Sequence, residues 1–136
     1  MVKITAVYEG DLHCRLTHGP SGATLQTDAP KDNMGKGEAF SPTDLSAASL
    51  LTCVLTTMAI YGKRHDIEIK GATGEILKEM SAEPPRRISR LTIKIMMPKD
   101  IKTENRPLLE RVGSSCPVHK SLSPDVQILT TFSYPD

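Results

Sequence analysis

The stretch Ser41-Pro42-Thr43-Asp44-Leu45-Ser46-Ala47-Ala48-Ser49-Leu50-Leu51-Thr52-Cys53 decides the architecture of this chain. Ser41 suits the residue that caps a helix and Pro42 suits the first helical position, where a missing N–H costs nothing. Asp44, third in the helix, favours the positive end of the dipole and can close a shortened capping box with Ser41. The helix is expected to continue through Val54 to Tyr61 and to end at Gly62. No charged residue stands between Asp44 and Lys63, so burial nearly all round is expected. The segment reads as too short and too rich in Ser and Thr for a membrane span, for which about 20 apolar residues are needed. A central helix wrapped by sheet, or packed on its own copy in a dimer, is the expectation.

Strand signals lie on both sides of this helix. Val2 to Tyr8, Leu12 to Thr17 and Ala23 to Thr27 alternate or sit between Gly-rich turns, which predicts a three-stranded meander. A polar loop, residues 28–40, links the meander to the helix; loops of that length in compact domains often carry function. Beyond the helix, 67–80 and 88–97 read as a strand pair with Ile67, Ile69, Ile76, Leu91, Ile93 and Ile95 facing inward. Thr103 to Val112 reads as an amphipathic helix, Cys116 to Leu122 as a short second one, and Val126 to Tyr134 as a last strand. The expectation is one α+β domain spanning residues 1–136, with antiparallel sheets around a buried central helix.

Composition narrows the function. Seventeen Lys and Arg against sixteen Asp and Glu leave a net charge of +1, which does not favour nucleic acid or an anionic membrane as partner. Absence of Trp, with two Phe and three Tyr, argues against a base-stacking surface. The first residues alternate like a strand and lack a signal-peptide core. Three widely spaced cysteines, Cys14, Cys53 and Cys116, do not form a secreted disulfide framework. A cytoplasmic protein with free thiols is expected.

Cys116 stands at the start of a short helix, beside Pro117, where unpaired N–H groups and the dipole stabilise a thiolate. His119, one turn on, can add a hydrogen bond or charge. The bland alternative is a buried small hydrophobe that starts a helix. Cys53 lies mid-helix with Thr52, Thr56 and Thr57 as polar company, and by itself packing is the simpler reading, since apolar burial raises a thiol pKa. Cys14 is read as packing. Cys116 and His119 also have a spacing that supplies two metal ligands, but no second pair completes a site, so neither metal nor cofactor is expected. Phosphate-binding and nucleophile-elbow motifs are absent.

The run from Ser41 to Cys53 and the run Cys116-Pro117-Val118-His119-Lys120-Ser121-Leu122, in that order, resemble the two cysteine motifs of the OsmC/Ohr family of thiol peroxidases and hydroperoxide-resistance proteins. The resemblance implies an intertwined homodimer with paired central helices, and two cysteines brought together at the dimer interface. It implies a peroxidase in which Cys53 attacks an organic hydroperoxide, Cys116 resolves the product as a disulfide, and an external dithiol restores both thiols. Asp44 matches the acidic position, usually Glu, that orients a catalytic Arg. That Arg has no counterpart here: the first turn is Glu9-Gly10-Asp11, and residues 28–40 hold Lys31 and Lys36 as their only cations. The chain therefore looks closer to the family's less characterised branch. A non-catalytic relative, binding a small hydrophobic ligand or sensing redox state, is the alternative.

Overall fold

The computed structural model describes residues 1–135. The elements run in the expected order: β1 (Ile4–Gly10), β2 (His13–His18), β3 (Thr24–Asp28), α1 (Pro42–Arg64), β4 (Thr73–Met80), β5 (Ile88–Met96), α2 (Arg106–Gly113), α3 (Pro117–Ser121) and β6 (Gln127–Ser133). Single 3-10 turns, Lys31–Asn33 and Thr103–Asn105, sit in the long loop and before α2. The chain divides inside α1 into two compact units, Met1–Ser46 and the part from Ala47 onward.

The first unit is the meander. Its antiparallel order is β1-β2-β3, with Ala6 opposite Leu16 and Leu16 opposite Leu25. The β1–β2 turn uses positive φ at Gly10, Asp11 and Leu12. The 28–40 loop is tied at its base, where the Asp28 N–H donates to the Phe40 carbonyl and the Ala29 N–H to that of Leu12. Ser41 and Asp44 then close the reciprocal capping box: the Asp44 N–H donates to Ser41 Oγ and the Ser41 N–H to Asp44 Oδ2, both at 3.0 Å. Two orphan amides of the first turn are thereby satisfied.

The second unit holds the core. Leu91, Ile93 and Ile95 of β5 are fully buried and face Leu50, Val54 and Met58 in one apolar cluster. Across the sheet, Ile76, Ile93 and Thr130 share one row, and Gly74, Ile95 and Phe132 another. The opposite face is solvated, with Lys94–Glu75 and Arg90–Glu79 ion pairs at 3.4 and 3.6 Å; exposed pairs of this kind contribute little. Behind the sheet, Tyr134 Oη donates to Glu110 Oε1 at 2.9 Å while the Arg106 guanidinium lies over the Tyr134 ring.

Four expectations are corrected. The second sheet, β4-β5-β6, is mixed rather than antiparallel, because β6 pairs parallel to β5. A parallel return needs a crossover, and residues 97–126, carrying α2 and α3, supply it. β4 begins at Thr73, not Ile67: a turn at Lys70-Gly71, with Gly71 at φ +94°, separates Ile67 and Ile69 from the ladder. The helix α1 passes Gly62 and ends at Arg64; at 23 residues, it is long and apolar enough by length and composition to cross a membrane. Nor is it buried all round. One stripe, Ala47, Leu50, Val54, Met58 and Gly62, is covered, as the 3.6-residue period requires for a helix lying on one sheet.

Candidate active site

Cys53 and Cys116 meet within the second unit. Cys116 is the N-cap residue of α3, with φ −69° and ψ 159°, and Pro117 takes the first helical position. Its sulfur accepts a hydrogen bond from the His119 N–H at 3.5 Å, and its side chain is wholly buried. Cys53 is half-buried on α1. The two thiols lie near enough to act on each other's ionisation, and the Val118 amide of the first turn of α3 acts on both. Thr57, one turn after Cys53, places its hydroxyl 3.8 Å from the same sulfur.

Gly113 makes this meeting possible. A Cβ there would come within 2.9 Å of Met58 Cγ and Sδ and 3.3 Å of Val54 Cγ1. The end of α2 therefore lies against α1 beside Cys53, and three residues later the chain delivers Cys116. Both thiols of the pair are supplied by one chain.

The environment separates the two thiols. At Cys53, burial opposes ionisation, but the Val118 amide, the Cys116 thiol and the Thr57 hydroxyl together hold its pKa below the usual thiol value. At Cys116, burial is the largest push upward, and the neighbouring Cys53 adds to it against the His119 and Val118 amides. The pair thus favours a Cys53 thiolate and a Cys116 thiol that donates to it. A half-buried, amide-supported thiolate beside a buried thiol has the make-up of an attacking and a resolving sulfur.

Other sequence-level candidates sit elsewhere. Asp44 belongs to the first unit, where its carboxylate caps α1. What His119 gives Cys116 is a backbone N–H, so the C-x-x-H spacing serves a helix cap. Among the described residues no three His, Cys, Asp or Glu side chains converge as metal ligands. Cys14 is half-buried on β2 between Tyr8 and Thr27. Lys36 borders a first-unit depression shared with Glu9, Asp11, His13, Asp28 and Glu38. There the sequence reading missed a linked pair: His13 Nδ1 lies 2.5 Å from Asp28 Oδ1. Alternation alone marks His13 as one strand residue among others; only the β2–β3 register, which sets it opposite Asp28, reveals the pair. The Val118 amide was also missed, although a capping Cys-Pro dipeptide signals free N–H groups in the turn that follows.

Residues 35–131 match the family described as OsmC-like protein. A solved structure from Psychrobacter arcticus 273-4, provisionally assigned to osmotic stress induced and detoxification response, is 39% identical, with a TM-score of 0.91 over 97% of this chain and 96% of that one. The OsmC like protein of Mycoplasma pneumoniae superimposes with a TM-score of 0.81 at 18% identity, over 100% of this chain and 98% of that one. The organic hydroperoxide resistance protein OhrB of Bacillus subtilis does so at 0.72 and 20% identity, over 98% of both chains. No curated protein sequence matches. Two sheets, a central helix carrying one cysteine and a capping second cysteine define an α+β protein of the OsmC/Ohr class. The chain belongs to the OsmC family.

Proposed function

We propose that this protein is a thiol-dependent peroxidase that reduces organic hydroperoxides through Cys53 and Cys116. The observation that carries the reading is the pairing of a half-buried Cys53, held toward ionisation, with a buried Cys116 that caps α3 beside it. Two relatives by fold named for organic hydroperoxide resistance agree with it.

In the first step the Cys53 thiolate attacks the terminal oxygen of ROOH. An S–O bond forms and the O–O bond breaks; the alkoxide leaves and takes one proton, giving ROH and a Cys53 sulfenic acid. Sulfur is oxidised by two electrons and the peroxide is reduced by two. In the second step the Cys116 sulfur attacks the Cys53 sulfur, and the Cys116 proton and the sulfenic hydroxyl leave as water. A dithiol then exchanges with the disulfide, taking up its oxidation and restoring both thiols. A cytoplasmic homodimer using a dithiol reductant completes the proposal.

One equivalent of cumene hydroperoxide tests it. Peptide mass spectrometry should find a Cys53–Cys116 disulfide that a dithiol reverses. Cys53→Ser should abolish turnover, and Cys116→Ser should accumulate a sulfenic acid at Cys53 that a cyclic dione traps. Thiols untouched by peroxide would sink the peroxidase reading and favour a ligand-binding relative.

A further inference from the structure

Thr57 follows Cys53 by one helical turn, so both side chains emerge on one face of α1. A threonine inside a helix ordinarily turns its hydroxyl back onto a carbonyl three or four residues earlier. Thr52 does so, donating to the Ala48 and Ser49 carbonyls at 3.1 and 3.2 Å. Thr57 instead brings Oγ1 to 3.8 Å from the Cys53 sulfur, within hydrogen-bond range for the larger sulfur atom. The Val118 amide of α3 also lowers the pKa of this sulfur. A thiolate can only accept hydrogen bonds, so once Cys53 is ionised the Thr57 hydroxyl must be the donor. Among the described groups acting on Cys53, none is a cation, and Cys116 is the one that titrates.

The geometry points to Thr57 as a thiolate-supporting residue: its O–H and the Val118 N–H together hold the Cys53 sulfur as an anion, where a cation would otherwise serve. Ionisation releases one proton to solvent, and the sulfur lone pairs accept from Thr57, Val118 and the Cys116 S–H. Hydrogen bonds to the charged form lower a pKa, as a nearby cation does, but without adding charge to the site. The assignment deepens the reading of Cys53 as the attacking sulfur, yet it concerns the resting thiol and needs no peroxide.

The test is the pH dependence of Cys53 alkylation by iodoacetamide, followed peptide by peptide by mass spectrometry. Thr57→Val keeps the branched shape and removes the donor. It should raise the Cys53 midpoint by about one pH unit, an about tenfold loss in the thiolate-to-thiol ratio. Thr57→Ser, which keeps the hydroxyl, should hold the midpoint near wild type, and Thr56→Val on the exposed face should leave it unmoved. An unmoved midpoint in Thr57→Val, or an equal rise in Thr56→Val, overturns the assignment. Thr57→Ala gives the same readout if the valine variant fails to fold, as judged by circular dichroism. A Cys53 that alkylates with this Thr57 dependence but ignores peroxide would remove the peroxidase reading and leave the role of Thr57 standing.

Discussion

His13 stands between two carboxylates, Asp28 Oδ1 on its Nδ1 and Glu9 Oε1 3.6 Å from its Nε2. The Asp28 side chain is only 7% exposed, and its second oxygen accepts the Glu38 N–H at 3.0 Å, so one carboxylate ties β2 to the 28–40 loop. The hydrogen bond that His13 Nδ1–H donates to Asp28 raises the His13 pKa above 6.5, with burial opposing and the Asp28 and Glu9 charges adding. Asp28 moves the other way, below 3.8, chiefly through His13. The signs define a window. The His13 contribution is complete below 6.5 and is lost as pH rises through its raised folded value; that of Asp28 is complete above 3.8 and is lost as pH falls through its lowered one. Thermal midpoints measured across pH should therefore peak inside that interval. Asp28→Asn should lower the peak and flatten its alkaline edge; an unchanged profile would mean the pair contributes nothing to stability.

At the scale of elements, the site depends on how closely α2 approaches α1. Gly113 has no side chain to hold the helices apart, and Met58, which it touches, is fully buried. Gly113→Ala must push that contact by several tenths of an ångström. Overpacking of this kind costs roughly 1–3 kcal/mol. The displacement should also carry α3 away from α1, because only Ser114 and Ser115 separate Gly113 from Cys116. Slower Cys53–Cys116 disulfide formation, out of proportion to the change in melting temperature, is the expected result. A loss of stability with disulfide kinetics intact would show that α3 is anchored independently of α2.

At the scale of the whole molecule, each unit carries large apolar side chains that are exposed. Ile4 is 61% exposed and Leu25 57%, and Ile60 on α1 is 50% exposed. A three-stranded sheet needs one apolar face packed for stability, and an uncharged helix is costly to leave with apolar side chains such as Ile60 in water. A second copy of the chain is the occupant we propose. Light scattering behind size exclusion should give twice the 14.9 kDa chain mass, with Leu25→Lys shifting the population toward a single chain. A monomer at all concentrations would leave the apolar surface to another partner.

Much of this was legible in one dimension because it rests on local chemistry. The Ser41-Pro42-Thr43-Asp44 cap, the meander and the capping role of Cys116 follow from side chains within a few residues of each other, where periodicity and turn residues dominate. The family motifs singled out Cys53 and Cys116. What the sequence left open are long-range relations. The parallel pairing of β6 depends on where a 30-residue crossover returns. The Thr57 hydroxyl and Val118 amide become partners of one sulfur only when α2, allowed in by Gly113, seats α3 against α1. The partial cover of α1 is likewise a fact of three dimensions: an uncharged helix announces that it needs burial, but packing alone decides which stripe this chain buries for itself.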